Sequence, residues 1–259
     1  MDLGIAGRKA IVCASSRGLG RACAEKLAEA GCDVVINGRD KARLEATAAE
    51  MSKRYKVKVT AVAADLASPE GQQALLAACP DPDILVNNNG GPPLRDFREL
   101  TRRQIIDGVT ANMVVAIELI QKTIAPMMER RFGRIVNITS GSVKMPLAGL
   151  DLSSGARAGL TAFLAGVARS VADKNVTINH ILPGAFDTDR LRSTIKKAAE
   201  TKHISEDEAA GQRAATIPAR RFGQPDEFGA ACAFLCSAHS GYITGQNLLI
   251  DGGLFNGAF

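Results

Sequence analysis

The stretch Lys9-Ala-Ile-Val-Cys-Ala-Ser-Ser-Arg-Gly-Leu-Gly20 decides the fold. It reads as a short apolar strand, then a loop carrying two glycines, then the opening of a helix. Gly18 and Gly20 let backbone come close to a pyrophosphate, and the helix that follows offers free amides and a partial positive charge. A glycine pair alone is common. Its place between a strand and a helix is what gives it meaning.

Working outward, strand and helix patterns alternate along the whole chain. Apolar strand-like runs stand at 9–14, 33–36, 57–62, 84–86, 135–138, 177–181 and 247–250. Between them, residues 20–30, 41–54, 69–78, 102–128, 154–172 and 225–237 repeat apolar positions at three- and four-residue spacing, as helices do. Pro69 and Pro225 fall where a first helical turn tolerates proline. Such alternation implies right-handed crossovers and a parallel sheet covered on both faces. The expectation is an α/β fold: one Rossmann-type, doubly wound dinucleotide-binding domain over residues 1–259, with a seven-stranded parallel sheet flanked by helices. One segment, about 187–221, breaks the alternation. It is long, charged and alanine-rich, and it reads as an inserted substrate loop or lid.

Composition narrows the function. Apolar residues make up 46% and charged residues 23%, as in ordinary globular proteins. No apolar run reaches the roughly 18 residues of a membrane span, and the N-terminus lacks a secretion signal, so a cytoplasmic protein with no membrane partner is expected. Six scattered cysteines include no CxxC pair, and no histidine lies at ligand spacing, so reduced core thiols are expected and no metal. The net charge of +5 is not gathered with aromatics, which make up only 4%; this argues against a nucleic-acid partner and suits an anionic cofactor or substrate.

The second strand leads to Gly38-Arg39-Asp40. A carboxylate directly at the strand end would grip the ribose 2′-hydroxyl of NAD, and Gly38 offers none. Arg39 offers a fork suited to a 2′-phosphate, and Arg17 in the glycine loop is a second cation for it. NADP is therefore favoured; NAD stays possible if Asp40 turns inward.

Several motifs, spread over nearly the whole chain, resemble the short-chain dehydrogenase/reductase family. The glycine loop Cys13-Ala-Ser-Ser-Arg-Gly-Leu-Gly20 stands for that family's Thr-Gly-x-x-x-Gly-x-Gly, with Ala14 in a glycine place. If that place needs φ above zero, Ala14 costs roughly 1 kcal/mol. Asp65-Leu66 match the residues at the adenine edge, and Asn87-Asn-Asn-Gly90 match Asn-Asn-Ala-Gly. Pro183-Gly184-Ala-Phe186-Asp-Thr188 match the turn that holds the nicotinamide carboxamide. The resemblance implies a cofactor site of Ser15, Ser16, Arg17, Gly18, Leu19, Gly20, Arg39, Asp65, Leu66, Asn89, Gly90, Arg157, Pro183, Gly184, Phe186 and Thr188. It implies catalytic roles at Asn112, Ser140 and the positions of the family's Tyr-x-x-x-Lys. Gly91-Pro-Pro93 and Ser153-Ser-Gly-Ala-Arg-Ala-Gly-Leu160 point to a branch similar to 3-oxoacyl-carrier-protein reductases that lacks the tyrosine.

That absence is the functional question. Thirteen residues after Ser140 stands Ser153, not tyrosine, and four further on stands Arg157, not lysine. The family tyrosine gives a proton to the carbonyl oxygen as hydride arrives. A serine hydroxyl is far less acidic, and it stops roughly 4 Å short. Arg157 keeps a positive charge suited to ribose hydroxyls but holds its proton near neutrality. Lys144 and Asp151 on the same loop are alternative donors or plain loop residues, and His180 reads as a strand histidine near the core. The expected function is an NADP(H)-dependent oxidoreductase reducing a small carbonyl or an acyl thioester, as a homotetramer or homodimer. The rival is a catalytically silent NADP(H)-binding protein.

Overall fold

The computed structural model describes residues 1–91 and 94–258; Pro92 and Pro93 of the Gly-Pro-Pro signal, and Phe259, lie outside the described residues. The chain runs β1 (Lys9–Val12), α1 (Gly18–Glu29), β2 (Asp33–Gly38), α2 (Lys41–Tyr55), β3 (Val59–Ala63), α3 (Pro69–Ala78) and β4 (Ile84–Asn87). It continues through α4 (Arg102–Val109), α5 (Val115–Glu129), β5 (Gly133–Ile138), α6 (Asp151–Val171) and β6 (Val176–Pro183). It closes with α7 (Asp189–Lys202), α8 (Glu206–Ala215), α9 (Pro225–Leu235) and β7 (Asn247–Ile250). The seven strands form one parallel sheet in the order β3-β2-β1-β4-β5-β6-β7.

Two cores sandwich the sheet. On one face Val12, Ile36, Val86 and Val136 pack against Leu27 of α1, Leu44 and Met51 of α2, and Phe228 and Cys232 of α9. On the other, Ile11, Leu85, Ile135 and Ile178 meet Leu75 of α3, Leu119 of α5, and Leu160 and Leu164 of α6. Both faces of the central strands are therefore apolar, as a doubly covered parallel sheet requires. Gly229 sets the α1–α9 approach: a Cβ there would stand 2.5 Å from the Ala22 carbonyl. Hydroxyl and carboxylate caps begin the helices, Asp40 on α2, Ser68 on α3 and Thr188 on α7; α4 opens on a full capping box of Thr101 and Gln104.

Two expectations change. The single helix expected over 102–128 is α4 and α5 joined by a π turn, Thr110–Val114. The segment 187–221, read as an irregular insertion, contains α7 and α8. These have a small core of their own from Leu191, Ile195, Ala199 and Ala209. Three- and four-residue spacing was present there but sparse among charges.

Candidate active site

The strand order reverses between β1 and β4, so the loops leaving those strands diverge and open a crevice at their carboxyl ends. The glycine loop forms one wall. Ala14 has φ +45°, the left-handed region where the family pattern has glycine, and Gly18 has φ +60°. A Cβ on Gly20 would lie 2.4 Å from the Ala14 carbonyl, so only glycine lets α1 start this close beneath the loop. Asn37, which the sequence reading passed over as strand, braces the loop. Its Oδ1 accepts from Ala14 N, its Nδ2 donates to Val62 and Ala64 carbonyls, and its N–H donates to Ser15 Oγ at 3.0 Å. The one available signal was an amide within an apolar strand. Asn88 Nδ2 donates to the Ala14 carbonyl at 3.1 Å and ties in the loop after β4.

The side chains of Ser15, Leu66 and Phe186 are buried in protein contacts. Ser15 donates to Val12, Leu66 belongs to the α3–α5–α6 core, and Phe186 stands edge-on to Phe228 at 5.2 Å. They leave only backbone for a ligand. Ser16 is half-buried and its carbonyl accepts from Thr47, Leu19 packs on the core, and Asp65 accepts from Ala67 N. Arg39 is exposed, while Asp40 caps α2 by accepting from Arg43 N at 3.1 Å. Arg17 is exposed too, but its guanidinium pairs with Asp189 of α7 at 3.3 Å rather than standing free with Arg39. A cleft of about 440 Å³ lies here, lined by Arg17, Gly18, Arg21, Asp187, Thr188 and Arg192 among others.

At the far wall, Gly184 is held by the Ile250 carbonyl, and a Cβ on it would meet Asp251 at 2.6 Å; Pro183 before it ends β6, and Thr188 caps α7 by accepting from Leu191 N. Gly90 has open space beside its Cα, as a ligand-facing glycine would.

The catalytic end is organised around Arg157. It is 7% exposed, and its guanidinium donates to four acceptors: Ser153 Oγ (Nε, 3.2 Å), the Ile138 and Thr139 carbonyls (Nη1, 2.7 and 3.0 Å) and the Asn89 carbonyl (Nη2, 3.2 Å). It therefore ties the ends of β4 and β5 to α6. One Nη2 hydrogen is left over from five. Burial, and then the nearby charge of Arg190, push its pKa down to about 10. The expected grip on ribose is thus revised: most of this fork is occupied by protein carbonyls.

Ser153, 5% exposed, accepts from that guanidinium and keeps its own hydrogen to donate. Ser140 likewise accepts, from Ser142 N at 3.1 Å, and keeps its hydrogen. Asn112 lies in the π turn; its Nδ2 donates to the Gly108 carbonyl, while its buried Oδ1 has no protein partner. Such a turn releases a backbone carbonyl from the helical ladder, and here Asn89 Nδ2 takes up the Ala111 carbonyl at 2.7 Å.

The alternative proton donors stand apart. Lys144 Nζ lies 5.6 Å over the Phe255 ring, and Asp151 is exposed and accepts from Gly149 N. His180 is buried on β6, and desolvation pushes its pKa down to about 4, so the ring is neutral. Among the described residues no group of three or more His, Cys, Asp or Glu is placed to hold a metal, and no helix is long and apolar enough to cross a membrane.

Residues 13–255 match the family described as enoyl-(acyl carrier protein) reductase. The chain belongs to the short-chain dehydrogenase/reductase family. It is 32% identical over 259 residues to the 3-oxoacyl-[acyl-carrier-protein] reductase FabG of Aquifex aeolicus, covering 98% of this chain and 100% of the relative. It is 31% identical over 251 residues to the NADPH-dependent reductase BacG of Bacillus subtilis, covering 95% and 97%. Among solved structures, the L-sorbose reductase of Gluconobacter frateurii with NADPH and L-sorbose superposes with a TM-score of 0.94 at 29% identity, covering 99% of this chain and 100% of that one. The reductase frame is shared along nearly the whole chain.

Proposed function

We propose that this short-chain oxidoreductase reduces a carbonyl with NADPH, using a hydroxyl polarised by a guanidinium in place of the tyrosine. The observation that carries the reading is the Arg157–Ser153 contact. Donation from a cation to Ser153 Oγ strengthens that hydroxyl as a donor in turn, because hydrogen bonds in series polarise one another. Ser140, two residues past the strand end that Arg157 clamps, supplies the second donor. Together they would hold the substrate oxygen and support negative charge developing on it. The unpartnered Asn112 Oδ1 suits a water that resupplies the proton. A bound dihydronicotinamide supplies the hydride. Gly18, Gly20 and the α1 amides form a cradle for its pyrophosphate, Thr188 and the Gly184 turn for its carboxamide, and Arg39 with Arg17 for a 2′-phosphate.

The segment carrying α7 and α8 serves as the substrate lid in this reading, over a small carbonyl compound or an acyl thioester. Exposed Phe163, Phe234, Tyr242 and Leu248 favour a homodimer or homotetramer. Six free, buried thiols suit a reducing cytoplasm.

NADPH oxidation followed over a panel of ketones, 2-oxo acids and acyl thioesters tests the reaction. Turnover that falls at least tenfold in Ser153→Ala is expected. For the cofactor, Arg39→Ala is expected to erase at least a tenfold preference for NADPH over NADH, since a charge-assisted bond contributes roughly 1.5–3 kcal/mol; equal affinities in the unmodified protein would overturn that assignment. One observation favours the silent-binder reading: no group that exchanges protons near neutrality contacts Ser153 among the described residues. NADPH binding without oxidation across the whole panel would establish it.

A further inference from the structure

The first turn of α7 distributes its charges unevenly. Asp187 pairs with Arg192 at 2.9 Å, and Asp189 pairs with Arg17 at 3.3 Å. Arg190, between them, has no carboxylate partner among the described residues. Its guanidinium instead lies over Gly91 on the opposite wall of the crevice. Nη1 is 3.5 Å from the Gly91 carbonyl, and a Cβ on that glycine would stand 2.8–2.9 Å from both Nη atoms. Gly91 thus leaves room for a flat cation, which any side chain would displace.

Two residues earlier on the same loop, the Asn89 carbonyl accepts from Arg157. The loop after β4 is therefore contacted by one guanidinium from α6 beneath and by another from the lid above. The two charges sense one another, since Arg190 helps lower the pKa of Arg157. Among the described residues no carboxylate pairs with either. Asp151, the acid that opens α6, accepts from Gly149 N. Two like charges in a partly desolvated crevice repel, and an oxidised nicotinamide would add a third. A planar anion would remove the imbalance, and a carboxylate matches the fork of arginine.

We infer that Arg190 is a specificity-determining residue and that the substrate is an anionic carbonyl compound, with a carboxylate close to the carbonyl, as in a 2-oxo acid. The carboxylate lies on the Arg190 fork, facing the single free Nη2 hydrogen of Arg157, and the carbonyl oxygen faces the Ser140 and Ser153 hydroxyls. This deepens the carbonyl-reductase reading and rests on it for the reaction, but the anion site itself is separately measurable.

The test uses oxamate, an unreactive 2-oxo acid analogue, and its neutral counterpart oxamide. Both are titrated calorimetrically into the protein, with and without NADP⁺. Oxamate is expected to bind at least tenfold more tightly than oxamide. Arg190→Met should erase that ratio and Arg190→Lys should keep part of it, with NADP⁺ affinity changed less than twofold in both. Among the described residues the Arg190 guanidinium bonds only Gly91, and the side chain is exposed, so both variants should fold; matching thermal midpoints confirm it. Equal binding of oxamate and oxamide overturns the inference. So does an Arg190→Met variant that loses NADP⁺ affinity while keeping the ratio, because the cation would then serve the cofactor's phosphates. Parallel assays with pyruvate and methyl pyruvate separate the two readings. Oxamate selectivity without any NADPH oxidation refutes the reductase and keeps the anion site. Oxidation with both ketones alike, without oxamate selectivity, keeps the reductase and refutes the anion site.

Discussion

Strand β5 has a buried arginine at each end. Arg134, 1% exposed, lies at its start, and Arg157, reaching in from α6, clamps its finish. Among the described residues neither has a carboxylate partner, and most of their bonds go to carbonyls. Arg134 donates to the Ser237, Gly133 and Asn175 carbonyls and to Asn175 Oδ1, and its guanidinium lies 4.4 Å from the centre of the Phe132 ring, with Arg8 at 3.9 Å from the same ring. Burial lowers the pKa of both. The difference lies in what the remaining bonds face. Arg134 meets backbone, an amide and aromatic carbon, and its neighbouring cation, Arg8, shares the Phe132 ring with it, so it closes the base of the sheet. Arg157 holds a hydroxyl, and its neighbouring cation, Arg190, belongs to α7. The same group, buried at both ends, is a plug at one and lines the crevice of the proposed site at the other.

Substitutions can break this contrast. The largest effect is expected from Arg134→Met, which leaves at least two buried acceptors bare at about 1–3 kcal/mol each. Urea unfolding should show a loss of about 3–4 kcal/mol while turnover per folded molecule stays the same; a fall in turnover instead would abolish the distinction between the ends.

His180, on β6 between those ends, sharpens the contrast by pH. Its folded-state pKa of about 4 lies below the unfolded value of about 6.5, so the neutral ring favours the fold. That contribution is complete above pH 6.5 and is lost as pH falls toward 4, amounting to up to about 3 kcal/mol. His180→Asn should flatten the decline in denaturation midpoint across that window. An equally steep decline in the variant would assign it to other groups.

Arg157→Met is expected to lower kcat by about 10²-fold, the low end of a positioned proton donor's contribution. Arg157→Lys should restore part of it, because a lysine reaches fewer of the four acceptors but keeps the charge near Ser153. A merely structural role would lower stability and leave the pH profile of kcat unmoved, so the profile is the deciding measurement. The smallest effect is at Ala14. Its φ of +45° makes Ala14→Gly stabilising by up to about 1 kcal/mol, readable as a rise in thermal midpoint.

The alternation of strands and helices was legible in the chain because each apolar run is short and several helices, α2, α3, α4 and α7 among them, open on a capping residue. The parallel direction of the strands followed from that alternation, whereas their order, β3-β2-β1-β4-β5-β6-β7, came only with the structure. The positive φ at Ala14 was anticipated from its mismatch with the glycine pattern. The π turn at Thr110–Val114 was not, because its periodicity differs from an α-helix by a single residue and the apolar spacing absorbs the slip. The four acceptors of Arg157 were equally illegible. Three are backbone carbonyls, and backbone carries no sequence signal. Arg190 stood unnoticed among many charges on α7, since its lack of a partner is a fact of three-dimensional placement.

The Arg17–Asp189 pair gives the crevice an internal competitor. Any phosphate that docks on Arg17 must first take that guanidinium from a carboxylate on α7, so part of the attraction is exchanged rather than created. Added salt weakens the resident pair along with the incoming one. Affinity for such a ligand should therefore decline less steeply with ionic strength than a count of nearby arginines suggests, and the arrival of the ligand frees the first turn of α7 from the glycine loop in the same event.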